Sequence, residues 1–538
     1  MHIKSLTIKN YKIFKDFQIN FKNGVNIIVG NNEAGKSTIL EALHLALSGM
    51  VNGNYMRNEI SQYLFNKDIE NEYITSLTTD SPQQPPFILI EVFFETNDLP
   101  LFEGDYNSNK SKNCGVLFKI EFDAQYINEY NNINKSTLLS IPVEYYKITW
   151  MTFARNMITS KSIPIKSILI DSSSNKYKNG SDIYIGKIIK NHLSDSDNVG
   201  LSQAYRELKE TFKNNDIIKS INSEITRCAN ISDKSVSISV DMSVKNSWEN
   251  QLMTYLEDIP FHQIGQGEQC IVKTNLSLSH KKALESNLIL IEEPENHLSY
   301  SKLNQFIKNI IDKCDSKQII ITTHSSFVAN KLNLKNLILL DNLKTTRLND
   351  LDPTTYDYFE KLAGYETLRL ILCRKTILVE GPSDELIVQR ANKDKYSKLP
   401  IEEGIDIISV RGLSFKRFLE IAKILKKRVA VITDNDGEYD NKITKKYKDF
   451  IDIENILISA DNRNELKTLE PQIVDANKGD IATLCSILNI NDEDFESNQA
   501  ISEYMISNKT DVALKIFNAT KNIVYPQYIL SVIDWCHE

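Results

Sequence analysis

Residues 30–38 have the sequence Gly30-Asn31-Asn32-Glu33-Ala34-Gly35-Lys36-Ser37-Thr38, and this stretch decides the fold of the N-terminal part of the chain. It fits the pattern G-x-x-x-x-G-K-[ST] at every fixed position, between an apolar run at 25–29 and amphipathic residues 37–47. A strand, such a loop and a helix in this order are typical of a nucleotide phosphate site. We expect the N–H groups of residues 30–38 to surround the phosphates, Lys36 to neutralise their charge and the Ser37 hydroxyl to ligate Mg²⁺.

An acidic motif after a second strand is expected to complete this nucleotide site. Residues 288–291 are apolar, and Glu292-Glu293-Pro294-Glu295 follows them. Alone, such a run fits a strand end with solvated acids equally well. Beside the 30–38 loop it predicts that Glu292 holds Mg²⁺ through water and that Glu293 polarises the attacking water. His324 follows the run 319–323, where it can sense the γ-phosphate, although a single His at a strand end is more often structural.

Acids also follow two apolar runs in the last third of the chain. Residues 375–379 lead into Glu380, and residues 428–433 lead into Asp434-Asn435-Asp436-Gly437. Because carboxylates at the carboxyl ends of neighbouring parallel strands converge, we expect Glu380, Asp434 and Asp436 to share Mg²⁺ or Mn²⁺. Asp384 is expected to reach a second ion, and two such ions stabilise the attacking and leaving oxygens of a phosphodiester. The D-x-D-G sequence alone is more often a surface turn, but its pairing with Glu380 favours a metal site.

The charge of the chain is close to balanced but unevenly distributed. Its 538 residues are enough for about three or four domains. There are 63 Lys and Arg against 71 Asp and Glu, a net charge of −8, which argues against a protein coated in basic surface. Residues 374–448 nevertheless have 17 Lys and Arg against 12 Asp and Glu, a net charge of +5, whereas residues 449–538 have a net charge of −10.

The basic window at 374–448 predicts a contact surface for DNA. The candidate phosphate contacts are Lys416, Arg417, Lys426, Lys427, Lys445 and Lys446. A solvated helix face is the usual reason for such a run. Beside a phosphodiester site we favour a track along the DNA backbone, which makes binding salt-dependent without reading sequence.

The cysteines and the N-terminus bear on the cellular compartment. Seven scattered cysteines, none in a C-x-x-C pair, argue against a disulfide framework or a structural zinc site and favour a reducing compartment. The first 21 residues lack an apolar secretory segment, and no run approaches 18 apolar residues. We therefore expect a cytoplasmic protein that does not contact a membrane.

The N-terminal motifs occur in an order that resembles a known family, the ATP-binding-cassette (ABC) ATPases of the structural-maintenance-of-chromosomes (SMC) and RecF type. The motifs are Asn10-Tyr11-Lys12, the 30–38 loop, Gly265-Gln266-Gly267-Glu268-Gln269, Glu292-Glu293-Pro294-Glu295 and Thr323-His324-Ser325. The resemblance implies that Lys12 contacts the nucleotide and that Gly265 and Gly267 cap the ATP of a second subunit. Gln266 departs from the Ser-Gly-Gly core of that family. Residues 156–250 are too few for a chromosome-type coiled coil and are expected to form a dimerisation element.

The acids at 380 and 434–436 resemble those of the Toprim domain of topoisomerases, primases and certain nucleases. Zinc-ribbon cysteines are missing from the sequence and few residues follow the motif, which disfavours primases and topoisomerases. An ABC head followed by Toprim is the layout of the overcoming lysogenization defect (OLD) family of nucleases, which the chain resembles over most of its length. That resemblance implies that Glu470 completes the metal shell and that Lys509 stabilises charge on the cleaved phosphate. An isolated Lys before a helix is otherwise usually a solvated cap.

The resemblance implies an α/β fold with an ABC-type P-loop ATPase head, a helical dimerisation insert and a Rossmann-like Toprim nuclease domain. The expected bounds are 1–155 and 251–345 for the head, 156–250 for the insert, 346–372 for a connector and 373–538 for Toprim. It also implies an ATP- and Mg²⁺- or Mn²⁺-dependent DNA endonuclease of bacterial anti-phage defence. Such a protein is a homodimer or higher oligomer, often with a partner encoded nearby such as a helicase or a reverse transcriptase. The alternative is an ATP-dependent DNA-binding switch or sensor whose Toprim domain does not cut.

Overall fold

The computed structural model describes residues 1–538 except 52–53, 97, 134, 136–137, 172–194, 229–236, 240–254, 266, 270, 273–286, 297, 314–316, 413 and 491–496. The chain forms two compact units. The first comprises Met1–Asn26 and Gly35–Thr323, and the second comprises Ile27–Ala34 and His324–Glu538. Much of the expected dimerisation insert lies outside the described residues, and the domain bounds given above stay predictions.

Helices and strands alternate along most of the described chain. The α-helices there are Lys36–Ser48, Lys67–Ser76, Ile127–Asn132, Asp195–Lys213, Asp216–Cys228, Tyr300–Lys313, Ser326–Lys331, Pro353–Lys361, Thr367–Leu372, Pro382–Tyr396, Phe415–Leu425, Leu469–Ala476, Ile481–Leu488, Asn498–Ser507, Lys509–Asn518 and Gln527–His537, and Asp440–Lys445 is a π-helix. The strands are His2–Tyr11, Phe14–Asn20, Val25–Gly30, Met50–Val51, Asn54–Tyr55, Ile88–Glu95, Glu103–Gly104, Asn113–Phe122, Tyr146–Thr152, Ser167–Asp171, Tyr255–Leu256, Ile259–Pro260, Leu288–Glu292, Gln318–Thr322, Leu337–Asp341, Lys344–Arg347, Lys375–Val379, Ile405–Ser409, Arg428–Ile432 and Ile456–Ser459. Within the described residues no helix is both long and apolar enough to cross a membrane.

An antiparallel sheet opens the first unit. Its strand His2–Tyr11 pairs with Phe14–Asn20 on one side and with Ile88–Glu95 on the other. Ile88–Glu95 continues the sheet to Asn113–Phe122, which pairs in turn with Tyr146–Thr152. Apolar and polar residues alternate in the first two strands, which buries side chains completely on one face, as at Ile3, Leu6 and Ile8.

Three parallel strands of the first unit surround the start of the motif Glu292-Glu293-Pro294-Glu295, which we call the Glu292 motif. Leu288–Glu292 lies between Ser167–Asp171 and Gln318–Thr322, and the helix Lys36–Ser48 packs against it. Gln318 is buried, and its amide binds both backbone polar groups of Ile3 at 2.8 Å. Because a buried amide must be fully bonded, this pair fixes the parallel strands against the antiparallel sheet of the same unit.

A four-stranded parallel sheet forms the centre of the second unit. The strand order is Ile405–Ser409, Lys375–Val379, Arg428–Ile432, Ile456–Ser459. These strands are short apolar runs covered by helices, as expected for a buried parallel sheet. The two central strands, Lys375–Val379 and Arg428–Ile432, are neighbours and end at the same edge, directly before Glu380 and before Thr433 and Asp434.

Two stretches of the chain each contain a pair of helices. Residues 195–228 form the helices Asp195–Lys213 and Asp216–Cys228, and Asn215 accepts a hydrogen bond from the Ile217 N–H at the break. The polar connector at 346–372 contains two helices, Pro353–Lys361 and Thr367–Leu372. Its polar residues include a helix cap, because Asp352 accepts the Thr354 N–H at 2.8 Å and Pro353 begins the helix.

Arg390 holds two helices of the second unit together. Its side chain is almost completely buried, pairs with Asp394 at 2.7 Å and donates to the backbone oxygens of residues 516, 517 and 519. These oxygens stand at the carboxyl end of Lys509–Asn518, where a cation also meets the negative end of the helix dipole. Arg390 thereby fixes the helix that begins at Lys509 relative to Pro382–Tyr396, the helix that contains Asp384.

Candidate functional site

The loop of residues 30–38 has the backbone that a phosphate site needs. Gly35 has a φ of 100° and stands directly before the helix Lys36–Ser48. A Cβ atom at Gly35 would lie 2.5 Å from the Phe14 ring, so only glycine fits there. Glu33 also has a positive φ, 63°. The first N–H groups of a helix lack partners within the helix, so this end of Lys36–Ser48 can bind an anion.

Lys36 lies close to the acids of the second nucleotide motif, as the sequence predicted. Its side chain is largely buried, and burial lowers its pKa while the carboxylates of Glu293, Glu292 and Glu295 act in the opposite direction. Glu292 ends its strand opposite Thr322, and the Glu293 N–H donates to the Thr322 oxygen at 2.9 Å. Glu293 has a φ of 42°, a conformation that costs energy for a residue with a side chain and is concentrated at functional sites.

The other residues predicted to contact the nucleotide lie on several different elements. Lys12 pairs with Glu41 of the helix Lys36–Ser48 at 2.6 Å. Gly265 is exposed and Gly267 begins a helical turn, whereas Gln266 lies outside the described residues. His324 begins the range His324–Glu538 of the second unit. Asn31, Asn32 and Glu33 are exposed. Their roles toward a nucleotide stay predictions.

The two central strands of the second unit bring Glu380 and Asp434 together. Glu380 Oε1 accepts hydrogen bonds from the Thr433 hydroxyl at 2.6 Å and from the Asp434 N–H at 3.1 Å. The Glu380 backbone oxygen accepts the Gly412 N–H at 3.1 Å, which ties the turn after Ile405–Ser409 to the same edge. The convergence of these strand ends was predicted, whereas the part of Thr433 was missed because a threonine at a strand end carries no signal of its own.

Three side chains from helices complete this group. Asp384 Oδ2 accepts the Gly381 N–H at 2.9 Å and so caps the helix Pro382–Tyr396. Glu470, at the start of Leu469–Ala476, is buried and pairs through Oε1 with Lys509 Nζ at 3.2 Å. We call Glu380, Asp384, Asp434 and Glu470, together with Lys509, the acid cluster.

Burial and, after it, mutual repulsion raise the pKa values of two carboxyl groups in the acid cluster. Burial raises the pKa of Asp434 to about 8, and the charges of Glu380, Asp384 and Glu470 contribute while Lys509 opposes them. Burial also raises the pKa of Asp384 to about 6, against the hydrogen bond from Gly381. Burial acts to lower the pKa of Lys509, but Glu470, Asp434 and Asp384 raise it above its ordinary value. The cluster is therefore short of positive charge.

Asp436 does not join the acid cluster, contrary to the prediction. Its side chain is exposed and pairs with Lys442 Nζ at 3.2 Å, and its φ is 49°. Lys442 belongs to the π-helix Asp440–Lys445. Lys446 is influenced by Glu380, Lys442, Asp436 and Lys416, so Lys446 and two further lysines lie near one another on the side of Glu380. We call Lys416, Lys442 and Lys446 the lysine group.

The structure also corrects the prediction that six basic residues form one track beside the acids. Lys426 and Lys427 directly precede the strand Arg428–Ile432 and so lie at its amino-terminal end, opposite Asp434. Burial lowers the pKa of Lys427, with Asp341 acting in the other direction. Arg417 stacks on Tyr358 at 4.6 Å and donates to Thr354 and Thr355. Lys445 is exposed and donates to Asn441 at 2.8 Å.

The acid cluster offers oxygen ligands to a divalent cation. No group of three His, Cys, Asp or Glu side chains already stands in ligating positions in the part of the chain that the structure describes. The donor set is all carboxylate, which suits Mg²⁺ or Mn²⁺. Glu470 Oε2 is buried without a hydrogen-bond partner beside this excess of negative charge. A buried carboxylate oxygen of this kind is costly unless a cation or a donor meets it, so the residues fit the ion.

The raised pKa of Asp434 predicts a change in stability with pH. The native protein holds the Asp434 proton more tightly than the unfolded chain, so stability is lost as the pH rises from about 4 toward 8. Asp434→Asn removes this loss. We expect the melting temperature of the metal-free variant to exceed that of the wild type by about 5 °C at pH 8, with a smaller difference at pH 5. Asp449→Asn, at an exposed acid, is the control, and an equal or lower melting temperature for Asp434→Asn at pH 8 would contradict the assignment.

Three family models match parts of this chain. The model described as "Overcoming lysogenization defect protein-like, TOPRIM domain" matches residues 371–436. The model "AAA ATPase domain" matches residues 1–217, and "AAA domain, putative AbiEii toxin, Type IV TA system" matches residues 251–330. The first match contains Glu380, Asp384 and Asp434, and the second contains the 30–38 loop.

Two relatives and one solved structure are similar to parts of this chain. An "ATP/GTP phosphatase" of Helicobacter pylori is 25% identical over 350 residues, which is 60% of this chain and 85% of that protein. The DNA replication and repair protein RecF of Streptococcus gordonii is 47% identical over 49 residues, 9% of this chain and 14% of RecF. A structure of the C-terminal region of the Burkholderia pseudomallei OLD protein covers 30% of this chain and 97% of its own, with 14% identity and a TM-score of 0.25.

The family matches confirm the α/β fold class and the two halves of the predicted resemblance. The ATPase models cover residues on both sides of the expected insert, and the TOPRIM model begins just before the strand Lys375–Val379. The chain thus joins an AAA-type ATPase to a TOPRIM domain of the overcoming lysogenization defect type.

Proposed function

We propose that the chain is an ATP-hydrolysing, divalent-metal-dependent DNA endonuclease. The observation that carries the proposal is the acid cluster, in which Glu380 and Asp434 meet at the edge of a parallel sheet with Asp384, Glu470 and Lys509 around them. Ligands of parallel sheets bind at this edge. The type of TOPRIM domain that matches residues 371–436 supports the same reading.

In the ATPase half, we assign the phosphates to the loop of residues 30–38. Lys36 would neutralise the charge of the β- and γ-phosphates, and Ser37, on the first turn of the helix, would ligate Mg²⁺. Glu292 would hold that ion through water, and Glu293 would polarise the attacking water. The proximity of the Lys36 ammonium to all three carboxylates of the Glu292 motif supports these roles.

In the nuclease half, Glu380, Asp384, Asp434 and Glu470 would hold Mg²⁺ or Mn²⁺. When bound, the ion supplies Lewis-acid stabilisation of charge on the phosphate oxygens and lowers the pKa of a bound water. Thr433 and the Asp434 N–H keep Glu380 Oε1 in a fixed orientation. Lys509, held by Glu470, would place its ammonium against the negative charge that develops on the cleaved phosphate.

DNA would approach along the lysine group. Lys416, Lys442 and Lys446 border the acid cluster and can contact phosphates on either side of the cleaved bond. The Asp436 carboxylate fixes Lys442 at 3.2 Å and so has a place in this surface without ligating a metal ion. Lys445, exposed on the same π-helical segment, extends it.

We also propose a homodimer that acts in bacterial defence against phages, alongside a partner encoded nearby such as a helicase or a reverse transcriptase. The helices Asp195–Lys213 and Asp216–Cys228 support the dimer. They expose apolar side chains one or two turns apart, which are Leu201, Leu208 and Phe212 on the first helix and Ile217 and Ile221 on the second. Exposed apolar rows of this kind mark protein contacts.

A second candidate function is a DNA-bound ATP switch whose TOPRIM domain does not cut. One observation favours it. Within the described residues, Glu380 Oε1, Asp384 Oδ2 and Glu470 Oε1 already bind donors of the protein. A scaffold without catalysis would need no more than these contacts.

Plasmid nicking distinguishes the two functions. With Mg²⁺ or Mn²⁺ we expect the wild type to nick supercoiled plasmid, and Glu380→Ala and Asp434→Ala to lose at least about 100-fold in rate because each removes a carboxylate from the metal site. Asp449→Ala removes an exposed acid of the same unit and should cut like the wild type. Cleavage that survives both cluster substitutions would refute the site, and a wild type that cuts with neither metal would favour the switch.

Hydrolysis of ATP should depend on Lys36. We expect Lys36→Ala to reduce phosphate release by about 100-fold or more, because the ammonium that balances the β/γ charge is removed. Lys15→Ala, at an exposed lysine of the same unit that pairs with Glu72, serves as the control. Unchanged turnover of the purified Lys36→Ala protein would show that the loop is not the site of hydrolysis.

The oligomeric state shows whether the exposed apolar side chains of Asp195–Lys213 and Asp216–Cys228 form a dimer contact. Sedimentation velocity should show a dimer for the wild type and a monomer for Leu208→Glu/Phe212→Glu, because a dimer would bury two charges in place of two apolar side chains. Gln203→Glu changes a polar position of the same helix and should leave the dimer intact. A double variant that sediments like a dimeric wild type would place the contact elsewhere.

A further inference from the structure

Tyr447 is a buried residue whose hydroxyl the proposed roles leave unexplained. Its side chain has no exposed surface, and its hydroxyl has no hydrogen-bond partner among the described residues. A buried hydroxyl without a partner costs about 1–3 kcal/mol, whereas a phenylalanine ring would fill the same space without that cost. The hydroxyl therefore points to a contact made when the site is loaded.

The position of Tyr447 follows from an uncommon element. The chain after Asp434 forms the π-helix Asp440–Lys445, and the Tyr447 N–H donates to the Ile443 oxygen at 3.0 Å. π-Helical turns widen a helix by one residue and occur mainly at functional sites. Lys442, inside this π-helix, pairs with Asp436 near the surface, whereas Tyr447, two residues beyond its end, is buried.

Glu380 is the charged group that acts on the Tyr447 phenol. Burial raises the pKa of Tyr447 and Glu380 raises it further, so the hydroxyl keeps its proton and can act as a donor. Lys446 lies over the Tyr447 ring, 5.0 Å from its centre, and is influenced by Glu380 as well. Tyr447 thus lies beside Lys446 of the lysine group and near enough to Glu380 for the two side chains to influence each other.

We propose that Tyr447 is a positioning residue of the nuclease site, whose hydroxyl donates to the Glu380 carboxylate and orients it for a divalent cation. This inference rests on the proposed metal site. Glu380 Oε1 is held by Thr433 and by the Asp434 N–H, which leaves Oε2 for the Tyr447 hydroxyl and the cation. Partners of metal ligands that lie outside the coordination sphere typically change metal affinity by 10- to 100-fold when they are removed.

The test is a titration of chelator-treated full-length protein with Mn²⁺, followed by electron paramagnetic resonance of the free ion and without nucleotide. Glu380→Ala defines which bound Mn²⁺ belongs to the acid cluster. We expect Tyr447→Phe to raise the half-saturating Mn²⁺ concentration of that site by about tenfold or more. The melting temperature of the metal-free variant should be unchanged or higher, because the variant loses an unbonded hydroxyl.

Tyr528→Phe is the matched control, because Tyr528 is half-buried and is influenced by Asp434, Asp384 and Glu380 but donates to Gln472 at 2.8 Å. It should lower the melting temperature and leave the affinity for Mn²⁺ unchanged. If Tyr447→Phe binds Mn²⁺ like the wild type, the inference is wrong while the metal site stands. If the wild type shows no Mn²⁺ binding that depends on Glu380, the proposed metal site and this inference are both overturned.

Discussion

The repulsion between buried carboxylates at the edge of one parallel sheet is the constraint on which the second unit depends. Glu380 and Asp434 are forced together because their strands are neighbours and end at the same level. Asp384 and Glu470 add two more acids, and Lys509 is the ammonium of the cluster. A proton on Asp434, with its pKa near 8, relieves the excess near neutral pH, and a divalent cation would relieve it more completely.

The surrounding structure makes this arrangement rigid. Arg390 binds the carboxyl end of the helix that begins at Lys509 and belongs to the helix that contains Asp384, so two members of the cluster are fixed by one buried guanidinium. Thr433 and the turn at Gly412 hold Glu380 from two sides. These positions are therefore set by buried bonds rather than by surface loops, which fixes the elements that carry the carboxylates.

Sequence patterns predicted the parts of the site that follow from periodicity. The apolar runs before Glu292, Glu380 and Asp434 are strands, and the rule that parallel strands end together predicted that Glu380 and Asp434 are neighbours. The same rule gave a wrong expectation for Asp436, which an alternating strand would place on the same side as Asp434. Asp436 lies four residues after the strand, where its φ of 49° turns the chain and its side chain pairs with Lys442. Lys426 and Lys427 are close to Asp434 in sequence, yet a whole strand separates them from it.

Other features could not be read from the sequence at all. Nothing in residues 440–445 indicates a π-helix rather than an α-helix, so Tyr447 was not expected near Glu380. Thr433 and Arg390 act through tertiary contacts that local propensity does not encode. Glu470 and Lys509 were found only through the resemblance to the OLD family, since each lies on a separate helix far along the chain from Glu380.

Anomalous diffraction from crystals grown with Mn²⁺ would show whether the acid cluster holds a divalent cation. We expect an anomalous peak in contact with the carboxylates of Glu380, Asp434 and Glu470, with Glu470 Oε2 as one ligand. A crystal with Mn²⁺ bound elsewhere, or with these carboxylates still bonded only to the protein at saturating Mn²⁺, would contradict it.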